Sequence, residues 1–378
     1  MKFTVARDVL AEAVSWTARA LPVRPATPIL AGVRISARDE ELVLSSFDYE
    51  VSANSRIPAS VEEPGEVLVS GRLLADISKS FPNRPVTVEL DGQKVDLTCG
   101  SSHFSLAVMP LDEYPQLPSQ PEITGTIDAH ALAQAVQQVS VAASRDDTLP
   151  LLTAVRMEVS GDRMTLLATD RYRLAMREIM WEPADSSVED AALVKARILH
   201  DVAKSMTAGS SVDIGLSKET QPGAASLIGF TAGGRRTTST LMEGDYPPVR
   251  RLFPESTTIQ AIVDRQVLLE AVKRVSLVAE RKTSVRLSFS QGQLSLEAGQ
   301  GNNAQASETL QAHVHGEDIT TAFNPQFLID GLSVMDTQYV RFGFTHPTKP
   351  AVLTGQKEVA EGEVTHFKYL IMPIRFGA

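Results

Sequence analysis

Seven histidines, one cysteine and a few adjacent carboxylates are the side chains of this 378-residue chain best suited to chemistry. Nucleotide hydrolysis would need a glycine-rich loop of the GxxxxGKS/T type, whose backbone amides cradle phosphates; the chain contains none. The histidines (His103, His130, His200, His313, His315, His346 and His366) form no HExxH pair. His313-Val314-His315 would put two imidazoles on one face of a strand, but no third metal ligand is evident. Asp146-Asp147 resembles an acidic dyad, yet it stands just before Leu149-Pro150 and reads better as an exposed loop pair. Cys99 has no base beside it and is expected to be a small buried side chain. No catalysis, no metal and no cofactor are expected.

The bulk composition narrows the class. With 36 Lys+Arg against 46 Asp+Glu the net charge is −10, which argues against a protein that clings to nucleic acid by overall charge. The 43% hydrophobic and 22% charged residues are those of an ordinary globular chain with room for several cores. No apolar run approaches the ~18 residues of a membrane span. The start, Met1 to Arg7, has no signal-peptide core, and a lone cysteine fits a reducing compartment, so a cytoplasmic location without membrane partners is expected.

The elements that must carry any function are repeated. Val5–Val14, Ile127–Val136 and Val263–Val272 align, the first and third agreeing at seven of ten positions. Their offsets of 122 and 136 lie close to a third of the chain. Three further matches follow in the same order. Pro28–Ile35 pairs with Pro150–Met157, and Val285-Arg-Leu287 echoes the end of both. Leu42–Asp48 pairs with Met164–Asp170 and with Leu294-Ser-Leu296, and Arg72–Asp76 pairs with Arg197–Asp201 and Gln326–Asp330. Tyr114-Pro115 corresponds to Tyr246-Pro247, and Met109-Pro110 to Met372-Pro373. A period near 126 is too long for a solenoid unit, so each repeat is a domain: 1–120, 121–255 and 256–378, joined by the proline-bearing stretches 115–121 and 247–254.

Within each repeat the periodicity switches. Val267, Leu268, Ala271, Val272 and Val275 mark an amphipathic helix, and Ala131, Leu132, Ala135, Val136 and Val139 repeat it. Gln134, Gln137 and Gln138 fall on the opposite, polar face of the second. Phe104–Val108 and Val86–Leu90 alternate as strands do, the latter turning at Asp91-Gly92. A second helix starts near Arg72, Arg197 and Gln326. The expected class is α+β, with two helices on antiparallel sheet in each domain.

Met1–Val5, Arg24–Leu30, Ala168–Leu174, Ala322–Pro325 and Tyr369–Arg375 complete a pattern that resembles the bacterial sliding-clamp family, the β subunits of the replicative DNA polymerase III. The resemblance extends over the whole chain. It implies a head-to-tail homodimer whose six domains close a ring around double-stranded DNA, with helices lining the hole. It implies as partners the polymerase III α subunit, the clamp loader and other proteins that carry clamp-binding peptides.

Charge placement fits that expectation. The helical windows 7–24, 70–84, 128–145, 195–206, 264–282 and 324–336 carry +1, +2, 0, +2, +2 and −2, together +5, leaving −15 on the rest. By resemblance Arg24, Arg72, Arg197 and Arg251 face DNA, and the helical wheel adds Lys273. A closed ring is held by topology, so a few such cations can orient a duplex without arresting it. Phosphate contacts carry no base information directly.

The resemblance also implies a groove for linear peptides, lined by Leu152, Thr169, Arg171, Tyr172, Arg173, Leu174, Pro247, Leu252, Leu370, Met372, Pro373, Ile374 and Arg375. Aliphatic side chains and methionine make an adaptable apolar surface for Leu or Phe anchors. Arg171-Tyr172 is bulkier than the family's usual residues there, and Phe376-Gly377-Ala378 extends past the motif. Both features would reshape the groove, and both leave open a specialised second copy that keeps the groove but not replication. The dimer seam is expected to join Phe104 and Leu106 of one protomer to the region of Leu277 in the other.

Overall fold

The computed structural model describes residues 1–206, 209–217, 225–279, 284–299, 304–360 and 362–374. Apart from short 3-10 turns, each third of the chain runs strand, helix, five strands, helix, three strands. The helices are α1 (Arg7–Thr17), α2 (Gly71–Ser80), α3 (Ala129–Ser140), α4 (Ala196–Ser205), α5 (Arg265–Val275) and α6 (Pro325–Val334). The class is α+β, and every strand pairing among the described residues is antiparallel.

Local chemistry sets the element ends. Asp264 caps α5 by accepting from the Val267 amide at 3.0 Å, and Asn324 caps α6 by accepting from Gln326, with Pro325 in the first turn. At the Asp91-Gly92 turn Gly92 takes φ +58°, which a side chain would resist. The apolar stripes are mostly as the spacing predicts, with two corrections. Val267 is exposed and Leu269 is buried in its place. Gln138, expected on a polar face, is buried. It lies three residues after Ala135 and one before Val139, and its amide donates to the Val334 carbonyl at the end of α6, 3.1 Å away.

The chain divides into two compact units. The first holds Met1–His130, Glu182–Ser186 and Asp201–Leu241; the second holds Ala131–Trp181, Ser187–His200 and Met242–Ala378. In the first, a five-stranded sheet ends at the strand Ser102–Ala107, and α1 and α2 pack together over Phe3, Leu10, Val14, Leu74, Val88 and Leu97. Its nine-stranded sheet is continuous across two repeats. Four strands come from the first third and five from the second, joined where Val51–Pro58 pairs with Arg235–Thr240.

The second unit is built the same way. Its nine-stranded sheet takes four strands from the second third and five from the last, joined where Arg173–Met180 pairs with Val364–Ile371. Its other sheet has four strands and ends at Ala306–Gln311. Each repeat thus contributes one five-stranded and one four-stranded half-sheet. Two of those halves, the five of the first repeat and the four of the last, remain unjoined.

Candidate functional site

The groove residues named from the sequence gather in the second unit, around the seam between Arg173–Met180 and Val364–Ile371. Ala175 opposes Tyr369 there, and the Met372 amide donates to the Tyr172 carbonyl at 2.8 Å. The local turn is forced by two short polar side chains. Asp170 Oδ1 accepts from the amides of Tyr172 and Arg173, each at 3.0 Å. Thr169 Oγ1 accepts from the Arg171 amide at 3.2 Å and donates to the Arg173 carbonyl at 2.6 Å. Arg171 is thereby held at φ +82°, a strained conformation for a residue with a side chain. Asp48 makes the matching turn in the first repeat, accepting from Glu50 and Val51, with Tyr49 at φ +72°.

The residues divide by depth. Leu174 and Leu370 are buried in a cluster with Ala154, Leu167, Met176, Leu193, Tyr246 and Val249, and Leu152 packs against it. Tyr172 is 54% exposed, while Leu252, Met372 and Ile374 are also exposed, Pro247 is exposed and Pro373 half-buried. This gives an apolar rim over an apolar floor. Arg375 and the segment 376–378 lie outside the described residues. The Tyr172 ring stacks on Phe327 at 6.3 Å, and the Arg171 guanidinium lies 5.8 Å from the Tyr172 ring. The bulky pair therefore leans toward α6 and forms one aromatic wall.

Thr169 and Arg173, expected to line the groove, are buried and act from beneath it. Arg173 Nε meets Asp170 at 2.9 Å, Nη1 meets Asp330 of α6 at 2.6 Å and Tyr369 at 3.4 Å, and the guanidinium lies 4.4 Å over the Phe327 ring. Burial alone would lower the guanidinium pKa; Tyr369, Asp330 and Asp170 push it above its ordinary value instead. Burial likewise raises the Tyr369 phenol, against the pull of Arg173. Tyr369 donates to the Phe327 carbonyl at 2.9 Å, and Gly331 lets α6 come this close, since a Cβ there would stand 2.5 Å from the ring. Asp170, Phe327, Asp330 and Tyr369 were absent from the sequence-derived site. Asp330 closes one of the repeated segments, which was its only signal.

The five cations expected to face DNA are all exposed: Arg24 and Arg72 in the first unit, Arg197, Arg251 and Lys273 in the second. Arg72 also donates to the Pro22 carbonyl at 3.1 Å. Lys273 pairs with Glu270 at 3.1 Å, so its charge is partly spent locally.

At the expected dimer seam, Phe104 is exposed and packs edge-on to Phe81, and Leu277 is 83% exposed. Leu106 corrects the expectation: two residues on and so on the same side of the strand as Phe104, it is 3% exposed and belongs to its own core, leaving Phe104 as the exposed side chain of the pair. Leu106→Ala should therefore cost about 2–5 kcal/mol of stability, and Phe104→Ala much less. Urea denaturation of the two variants checks this, and equal losses would contradict it. Cys99 is buried, its thiol facing the Pro82 and Arg84 carbonyls. Asp146 Oδ1 accepts from the Thr148 hydroxyl and amide, which hold its carboxyl below the usual range. Among the described residues no His, Cys, Asp and Glu side chains gather as a metal site, and no helix is long and apolar enough to cross a membrane.

Comparison with known proteins agrees with this architecture. Residues 1–118, 126–248 and 250–375 match the N-terminal, central and C-terminal domains of the DNA polymerase III beta subunit. A beta sliding clamp of Streptomyces coelicolor is 53% identical over 376 residues, 99% of both chains. A beta sliding clamp homolog, GriR, of Streptomyces muensis is 46% identical and covers 100% of both chains. The sliding clamp of Bacillus subtilis superimposes with TM-score 0.91 at 26% identity, covering 100% of both chains. A clamp of Pseudomonas aeruginosa, solved with griselimycin bound, gives the same values. Three repeats of one α+β plan, matched domain by domain, place the chain in the bacterial DNA polymerase III β-subunit family, the β sliding clamps.

Proposed function

We propose that two copies of this chain close head to tail into a ring around duplex DNA and tether the replicative polymerase. The protein is a processivity factor and not an enzyme. The carrying observation is the sheet arithmetic of the three repeats. Both internal seams join a four-stranded half of one repeat to a five-stranded half of the next. The two unjoined halves end in Ser102–Ala107 and Ala306–Gln311, each paired on one side only among the described residues. An open strand edge is a template for further pairing. The same junction made between two copies leaves no edge of this kind, and Phe104 and Leu277 then belong to that seam. The repeats at 1–120, 121–255 and 256–378, three in each of the two copies, make up the six domains of such a ring.

In this reading Arg24, Arg72, Arg197, Arg251 and Lys273 orient the duplex, and the groove around Met372 takes peptides of the polymerase III α subunit, the clamp loader and other partners in the cytoplasm. Proteins held by phosphate contacts lose affinity with salt at a slope of about −0.9 per contact. A ring held by topology escapes that dependence. Loaded on nicked circular DNA, the protein is expected to stay bound as salt rises and to leave once the circle is cut. Equal loss from circular and linear DNA as salt rises would refute encirclement. Complementation of a clamp-deficient strain separates this reading from a specialised second copy, which would fail to restore replication.

A further inference from the structure

Arg173 and Arg177 lie on one strand, four residues apart, so their side chains leave the same face of the sheet. Their surroundings differ sharply. Arg173 is neutralised by Asp170 and Asp330. Arg177 is half-buried, its Nε is shut off from solvent without a hydrogen-bond partner, and no acidic group among the described residues forms an ion pair with it. Burial accordingly lowers the Arg177 pKa, with Asp336 the one group opposing that shift. Asp336 is itself engaged, accepting from Gln134 Nε2 at 2.6 Å.

Arg177 opens into a cavity of about 360 Å³, lined also by Asp336, Thr337, Gln338, Lys357, Val364 and His366. Arg177, the exposed Lys357 and one imidazole thus line the cavity beside one carboxylate that is already hydrogen-bonded. A guanidinium Nε–H withdrawn from water without a partner is costly, and a planar fork of N–H donors suits the oxygens of a phosphoryl group. The Thr337 hydroxyl already donates to the Tyr339 carbonyl at 2.9 Å. The cavity falls in the size range of small-ligand clefts.

We infer that this cavity is a binding site for a small phosphate-type anion, held by Arg177 and Lys357, with inorganic diphosphate or the diphosphate end of a free nucleotide as its occupant. The site shares no residue with the peptide groove and does not depend on the groove reading.

Isothermal titration of the full-length protein with sodium diphosphate, at constant ionic strength in chloride buffer, tests it. Saturable binding of about one diphosphate per chain is expected, at least tenfold weaker in both Arg177→Met and Lys357→Gln. Lys357 is exposed, so its replacement leaves the core intact and decides the matter even if Arg177→Met fails to fold. A parallel titration with a nucleoside diphosphate identifies the source: tighter binding points to a nucleotide, equal binding to the inorganic ion. Absence of saturable binding to the native protein, or binding unchanged in the variants, would overturn the inference.

Discussion

Arg173→Leu is expected to destabilise the protein by about 3–5 kcal/mol, the cost of leaving buried partners of an ion pair uncompensated. The arginine is 6% exposed and bridges Asp170 in the groove turn to Asp330 on α6, while its plane covers Phe327. Leucine fills much of the volume but strands two carboxylates that have little access to water. Arg173→Lys keeps the charge yet cannot reach both carboxylates with one compact ammonium, and an intermediate loss is expected. Urea denaturation measures the effect, and a loss below about 1 kcal/mol for the leucine variant would show that the bridge contributes little. Because Asp170 also holds the amides of Tyr172 and Arg173, peptide affinity should fall along with stability.

Met372→Asp should separate the two proposed activities. Met372 is half-exposed on the groove rim, with Leu252 and Ile374 exposed nearby and Leu370 buried below. A carboxylate there would have to be desolvated by any apolar anchor that docks. Central anchors typically contribute 2 kcal/mol or more, so a loss of about 30- to 100-fold in affinity is expected. Fluorescence polarisation with a short peptide carrying Leu and Phe anchors measures it, while salt-resistant retention on circular DNA should be unchanged. Unaltered peptide affinity would place the anchor elsewhere. Met109, its counterpart in the first repeat, offers a contrast. It packs against Phe47, Leu68 and Tyr114, and its amide is held by the Leu68 carbonyl, so Met109-Pro110 has a structural role there.

The groove residues were named through resemblance, although the turn that carries several of them is local in its chemistry. Thr169-Asp170-Arg171-Tyr172-Arg173 is a turn written in short polar side chains, and the same hydrogen-bond pattern recurs at Asp48. The apolar rim was legible through resemblance. What was not legible was depth. Nothing in the sequence around Arg173 says that its partner Asp330 lies 157 residues away. Gln138 looked polar and exposed by type, yet it is buried against the end of α6; Val267 looked apolar and buried by type, yet it is 48% exposed.

The sequence by itself determined the triplicate plan, the order of helices and strands within each copy, and the α+β class. These follow from repeated segments and from apolar periodicity, which acts over a few residues. Only the tertiary structure decided which half-sheets fuse, which arginine of the strand Arg173–Met180 is paired with carboxylates and which is not, and that Leu106 of the edge strand is buried while Phe104 is exposed. The physical reason is that a strand edge or a buried charge acquires its partner from residues remote in the chain. Those partners are fixed by packing and desolvation, which local spacing does not encode.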